Sequence, residues 1–353
     1  MKNYYCFISL GYLRIGMLLT VTLLFFSCSK DDGLKDDLIN EKQVTVYIAG
    51  YTGGLNGPYK VKYWKNGELH ELTDGTTKAR ATSIFIDKED VYIAGSEVVE
   101  ALGERAMYWK NGKKYALAGL DLGHSRASSI GVAKGKVYVA GVENARGIYW
   151  KDGTAHELPT TDDHLLSTNN VIYISDNQDV YIAGMFSNQT TQVVKYWKND
   201  VEHIVTSPAA HAHGKVSSVF VNENDVYISG HYQTARGIGW AKYWINNVEH
   251  TLTDEVLAGR AHAIYAENNN VHVIGSGKGA ALRYWKNGVE QPLEMKDSSY
   301  GTADAITVVN EDVYIAGTVD DIGGYWKNGK WHALEVGKAG EHTSITSMFI
   351  VED

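Results

Sequence analysis

The chain has 353 residues, a formal net charge of −9 and 44% hydrophobic side chains. It is too long for a disulfide-stapled miniprotein and apolar enough to bury a large core, which excludes wholesale disorder. The acidic balance argues against nucleic-acid binding, which needs a basic footprint to neutralise phosphates. With 36 Gly, 23 Tyr and 9 Trp against 4 Pro, the composition suits many short strands joined by tight turns.

Lys2 and Arg14 are the only charges before residue 30, and an apolar run from Ile15 to Phe26 follows them. This run is too short to cross a bilayer as a helix but suits the core of a signal peptide. It ends in Phe25-Phe26-Ser27-Cys28, which resembles the lipobox of bacterial lipoproteins, although Leu is commoner at the place of Phe25. The resemblance implies cleavage before Cys28 and lipidation of its thiol; an ordinary signal peptide or an uncleaved anchor is the alternative. Cys6 would leave with residues 1–27, so the mature chain would hold no disulfide, no Cys nucleophile and no Cys-ligated zinc. Residues 28–43 are polar and acidic and are expected to form a flexible tether. They resemble the signal that follows the lipidated Cys in surface-exposed lipoproteins of some Gram-negative bacteria. That likeness implies an outer-membrane protein facing outward, touching the membrane only through its lipid; a plain spacer is the alternative.

Self-similarity governs residues 44–353. A Val-Tyr-Ile-Ala-Gly-like segment starts at Val46, Val91, Val137, Val180, Val226, Val271 and Val313, and a Tyr-Trp pair follows each, from Tyr63-Trp64 to Tyr325-Trp326. Repeats of 41 to 47 residues built from strand-like units are the signature of a β-propeller. Within one repeat, Thr82 to Ile86, Val91 to Gly95, Ala106 to Lys110 and Lys113 to Ala116 read as four strands. The last two are joined by Asn111-Gly112. Its counterparts, among them Asn66-Gly67, Asp152-Gly153, Asn199-Asp200 and Asn287-Gly288, all tolerate the left-handed backbone of a type I′ turn. The first two strands are apolar or small on both faces, as strands between packed layers are, and the repeated Trp should wedge between blades. The chain starts on a second strand and ends on Ser347-Met348-Phe349-Ile350, which matches Ser83-Ile84-Phe85-Ile86 of a first strand. The expected fold is therefore an all-β, seven-bladed β-propeller with four strands per blade, closed by the C-terminal strand completing the N-terminal blade. An open solenoid or a six-plus-one arrangement is the alternative. The repeat also resembles extracellular bacterial repeats in which a Gly-ended strand precedes an aromatic-Trp strand and an Asn-Gly turn; that likeness implies the fold and no particular activity.

Positions where one repeat departs from its siblings are the candidates for chemistry. Counting back from the Val-Tyr strand aligns Arg80, Arg126, Thr168, Lys215, Arg260, Thr302 and Ser344, and two residues on, Thr82, Ser128, Asn170, Ser217, His262, Asp304 and Thr346. First-strand starts should surround one mouth of the channel, so Arg80, Arg126, Lys215 and Arg260 could ring it and attract a carboxylate or acidic sugar. Solvated surface charge is the simpler alternative. His262 and Asp304 fall in adjacent repeats and could act as an acid–base pair, or could replace the structural hydrogen bonds of Ser and Thr elsewhere. His124, His213 and His342 align but fall in non-neighbouring repeats, and no metal or cofactor is expected. The recurring outer-strand set (His70, His156, His203, His250, His332) reads as scaffold. Among the longer loops, Tyr232, Arg236 and Trp240 could stack on a sugar or peptide, or Trp240 could pack beneath its own loop. The expected function is a surface-anchored, non-catalytic binding module or interaction scaffold that captures a glycan or polypeptide on its loop-rich face. The rivals are a polysaccharide lyase or hydrolase acting at the channel mouth, and a structural subunit of an outer-membrane complex.

Overall fold

The computed structural model describes residues 43–352 apart from 54–57, 101–102, 118, 120–122, 189, 207–208, 211–212, 234–238, 255, 296–299 and 336–340. The signal segment, Cys28 and most of the tether lie outside the described residues, as does Arg236. No helix among the described residues is long and apolar enough to cross a membrane.

The described chain is almost entirely antiparallel strand, arranged as repeated four-strand runs in which each strand pairs with the next along the chain. Five of these are separate four-stranded sheets, and two more are fused into one nine-stranded sheet. We number the runs by their Val-Tyr strands and call the strand before each of these the lead strand. The lead strands are Ala79–Asp87 in the second run, Ser125–Ala133 in the third, Leu166–Ile174 in the fourth, His213–Asn222 in the fifth, Arg260–Glu267 in the sixth and Gly301–Val309 in the seventh. In the first run the lead strand is His342–Glu352, which pairs with Val44–Gly53 and puts Phe349 opposite Tyr47. The third and fourth runs fuse because the turn at Asn144-Ala145 is tight and leaves Arg146 opposite Leu166. The Ser167 amide also donates to the Ala145 carbonyl at 2.7 Å.

Local chemistry explains the turns. At Asn111-Gly112 both φ angles are positive, 47° and 79°, as a two-residue hairpin between right-twisted strands requires. The Asn does more than tolerate this backbone. Its side-chain oxygen accepts the amide of the residue that starts the second strand, as in Asn111 to Val91 at 2.8 Å and Asn287 to Val271 at 2.8 Å. Asp152 keeps the same acceptor for Val137 at 3.0 Å.

The feature that shapes the site is a β-bulge near the start of every lead strand. The register slips at Thr82, Ser128, Ser217, His262, Asp304 and Thr346, where one extra residue faces no partner. A bulge re-aims the side chain it carries and bends the strand. Outside the fourth run it also brings a lead-strand carbonyl toward the glycine that ends the Val-Tyr-Ile-Ala-Gly segment. A Cβ on Gly95 would lie 1.9 Å from the Arg80 carbonyl oxygen, and one on Gly275 would lie 2.0 Å from that of Arg260. The recurring glycine is thus the counterpart of the bulge.

Apolar clusters sit between runs. Tyr47, Ala49, Ile84, Ile93 and Trp109 share one, and Ile48, Trp64, Ala316, Leu334 and Ile345 share another. The Trp rings reach the preceding run, as where the Trp326 indole donates to the Glu294 carbonyl at 2.9 Å and Trp64 to that of Glu335 at 2.9 Å. The outer-strand His residues stack on the Tyr of the Tyr-Trp pair, His70 on Tyr63 at 4.5 Å and His250 on Tyr243 at 4.6 Å. Three lysines of the third strands, Lys62, Lys195 and Lys242, are buried, and Lys195 is held by Asp162 at 2.5 Å, Glu202 at 2.8 Å and Thr160 at 2.9 Å. Nothing in the sequence reading anticipated them.

Candidate functional site

Lead strands of all seven runs line a cavity of about 680 Å³, and at their starts it meets a second of about 590 Å³. The bulge residues Thr82, Ser128, Ser217, His262, Asp304 and Thr346 border both. The second cavity brings together Arg80, Arg126, Lys215 and Arg260 with His262 and Asp304. It adds groups that the sequence reading passed over: Tyr51, Glu104, Asn169 and His231. His231 follows the glycine of its Val-Tyr segment and pairs across strands with Lys215, just as Ser276 pairs with Arg260 and Ser96 with Arg80. A cross-strand partner of an expected site residue shares its face of the sheet. The register was the available signal.

The four cations differ in what they touch. Arg126 Nε donates to Glu104 at 2.6 Å, and Glu104 also accepts the Ser96 hydroxyl at 2.7 Å. The Arg80 guanidinium lies 4.9 Å over the Tyr59 ring and 5.7 Å over Tyr51. Lys215 and Arg260 form no hydrogen bond or ion pair with any described residue. Both are exposed to water, yet Lys215 is flanked by enough protein to lower its pKa; burial is the main cause and Arg260 adds to it, against Asp304. These two descriptions agree for a group on the wall of a deep, wet mouth. His231 is 8% exposed, and its Nδ1 is buried without a partner. Burial first, then Arg260, Lys215 and His262, push its imidazole down to about 4, so it is neutral at physiological pH.

His262 is oriented by the backbone. Its Nδ1 lies 2.9 Å from the Ala303 carbonyl, so that nitrogen carries the proton and Nε2 faces the Ser276 hydroxyl at 3.5 Å. Thr82 makes the equivalent reach to the next run, donating to the Ala127 carbonyl at 3.0 Å. Asp304 makes no hydrogen bond to His262. Burial raises its pKa, against the pull of His262, the Thr302 hydroxyl and Lys215.

In the fourth run the structure departs from the sequence alignment. The slip there spans Thr168 and Asn169 rather than Asn170. Asn170 is fully buried and donates to the Gly141 carbonyl at 2.6 Å, while Asn169 borders the mouth and donates to the Val216 carbonyl at 3.2 Å. Counting along a strand misplaces residues when the bulge shifts along it.

Tyr232 and Trp240 pair with each other across strands but do not border the mouth. The Tyr232 hydroxyl reaches Thr206 at 3.3 Å, and its ring meets Trp244 edge-on at 5.8 Å. Lys242 Nζ lies 5.7 Å over each of the Tyr232 and Trp240 rings. Of the aligned histidines, His124 and His342 are engaged in separate runs. His342 bonds Asp321 at 2.7 Å and His124 accepts the Glu104 amide at 3.3 Å, while the His213 side chain lies outside the described residues. No group of three metal-ligating side chains occurs among the described residues.

No protein-family model matches the chain, and no curated protein matches it. Among solved structures, a puromycin-hydrolysing peptidase from Mycobacterium tuberculosis is similar at 11% identity and a TM-score of 0.53 over 83% of this chain; the chain spans about half of that peptidase, 54% of its length. An Aleuria aurantia lectin in complex with Fucα1-6GlcNAc aligns at 11% identity and a TM-score of 0.40, over 69% of this chain and 91% of the lectin. YCF48 bound to a D1 peptide aligns at 13% identity and 0.46, over 73% of this chain and 82% of that one. At these identities the peptidase likeness concerns the fold alone, and the other two carry no argument about this chain. Repeated four-strand antiparallel sheets arranged around shared cavities make the chain an all-β repeat protein of the β-propeller class.

Proposed function

We propose that this chain is a non-catalytic binding module: a seven-bladed ring, closed by strand 342–352, that holds a glycan or polypeptide at its cationic mouth. In the same reading Cys28 carries a lipid that anchors the module to the outer membrane of a Gram-negative bacterium, facing outward, and residues 28–43 are the tether. One observation carries the binding reading. Four different runs each deliver a basic side chain to one cavity of about 590 Å³, a size that holds a mono- or disaccharide or a few peptide residues. Two of the four, Lys215 and Arg260, engage no described residue. Uncompensated, convergent charge in a concave site is what a ligand relieves.

The full-length chain in mild detergent, applied to glycan and peptide arrays, is expected to retain a small set of ligands, and Lys215→Gln with Arg260→Gln is expected to weaken that retention. Silence across broad arrays would overturn the binding reading. Protease shaving of intact cells tests display: full protection of residues 44–353 would overturn it.

One contact favours a hydrolase as the second reading. His262 Nε2 is an acceptor by virtue of the Nδ1–Ala303 bond, and it faces the Ser276 hydroxyl at 3.5 Å, a looser form of the geometry of a base beside a nucleophile. Turnover of polysaccharide or ester substrates that disappears in Ser276→Ala and His262→Ala while binding persists would establish it; turnover equal in both variants would dismiss it.

A further inference from the structure

Resting on the binding reading above, we propose that the Lys215–Arg260–His231 side of the mouth is a subsite for the carboxylate of an acidic sugar. The two sides of the mouth are chemically unequal. On one side Arg126 is neutralised by Glu104 and Arg80 lies over Tyr51 and Tyr59. On the other, Lys215 and Arg260 have no partner among the described residues, and Lys215 has its proton affinity lowered, chiefly by burial and further by Arg260. His231, the cross-strand partner of Lys215, borders the same cavity and is 8% exposed. An anion seated there would pair with both cations together.

The charge count and the lining narrow the class. Asp304 acts electrostatically on Lys215 from the neighbouring run. When ionised it leaves the pair of cations with one uncompensated charge, which suits a monoanion better than a phosphate dianion. The planar guanidinium of Arg260 matches a planar carboxylate through two parallel hydrogen bonds. Next to this subsite the cavity is bordered by the hydroxyls of Ser128 and Ser217, which no described residue engages, and by Thr82. Such a lining offers donors and acceptors to ring hydroxyls. Tyr51 adds an aromatic ring to the same lining.

The test is calorimetry of the full-length chain in detergent with galacturonate oligomers, the neutral galactose oligomers, sulfated oligomers and a Glu-rich peptide. The uronates should bind and the neutral sugars should not, and rising ionic strength should weaken the binding. Lys215→Gln with Arg260→Gln should cost at least about tenfold in affinity, whereas Arg146→Gln, outside the mouth and paired with Glu157, should cost less than about twofold. Asp304→Asn should tighten uronate binding several-fold, an effect that a purely structural role would not produce. Circular dichroism confirms that each variant is folded. Neutral sugars bound as tightly as uronates, unaffected by the double substitution, would overturn this subsite and leave the binding reading intact. Equal binding of the peptide or of sulfated oligomers would overturn the assignment to a carboxylated sugar. A chain that binds none of these, and nothing on the arrays, would lose both.

Discussion

The asparagine of each hairpin turn accepts a left-handed backbone and also binds the first amide of a neighbouring strand. The sequence showed the first property, because Asn, Asp and Gly recur there. The second needed the register, since Val271 and Asn287 meet only when the hairpin is folded. Asn287→Ala should lose a hydrogen bond and strain a position at φ 52°, costing about 2 kcal/mol. Asn287→Asp, which keeps the acceptor as Asp152 does, should cost much less. Urea unfolding of both variants checks the difference, and equal midpoints would refute it. His272 occupies the place where sibling runs carry Tyr beneath a Lys, as Tyr92 lies 5.0 Å beneath Lys110. Burial first, with Lys286 adding, holds its imidazole down to about 4, against an ordinary value of 6.5. Between those values the unfolded chain binds the extra proton. The contribution to stability is therefore full above about 6.5 and is lost as pH falls toward about 4. His231, also held down to about 4, adds to the same acid limb. His272→Tyr should make that limb shallower, by up to about 3 kcal/mol at its acid end. Unfolding midpoints that fall with pH as steeply as in the parent would contradict this.

Within an element, the bulge and its glycine act as one device. The glycine was visible as the end of Val-Tyr-Ile-Ala-Gly, but its reason was not, because the carbonyl it accommodates comes from another strand. Gly275→Ala places a Cβ 2.0 Å from the Arg260 carbonyl oxygen and should cost about 1–3 kcal/mol. It should also displace Arg260 and weaken ligand binding at the mouth. The hairpin glycine Gly288, where a Cβ would meet nothing within 4 Å, is a control; Gly288→Ala carries only the left-handed penalty of about 1 kcal/mol. Thermal melts separate the two, and equal losses with intact binding would show that the bulge does not position Arg260. The same device explains the misplacement of Asn170. Counting back from the Val-Tyr strand assumes that the bulge sits at the same place in every lead strand, and in the fourth run it lies earlier, between Ser167 and Asn170.

For the whole molecule, the two ends of the chain share a sheet. Strand 342–352 pairs with strand 44–53, the Ser347 hydroxyl accepts the Ile84 amide of the second run at 3.1 Å, and the Phe349 ring meets Phe85 edge-on at 5.0 Å. Removing residues 342–353 therefore strips the first run of its lead strand and the second of a packing partner. The truncated chain should lose a single cooperative melting transition, read by calorimetry and near-ultraviolet circular dichroism. An unchanged transition would show that the end pairing contributes little.

The sequence by itself determined the repeat, the four strands of each unit, the turn chemistry and the matching of the two ends. Each of these is written in local patterns of apolar, aromatic and left-handed-tolerant residues, which act over a few positions. It also named four basic residues whose side chains border one mouth. Only the tertiary structure decided which of them are already engaged, because Glu104, Tyr51 and Tyr59 arrive from other strands. It alone brought His231 opposite Lys215 at the mouth, and it set Tyr232 and Trp240 away from the mouth. Partnership in a β-sheet is a property of register, and a single bulge changes register without leaving a pattern along the strand itself.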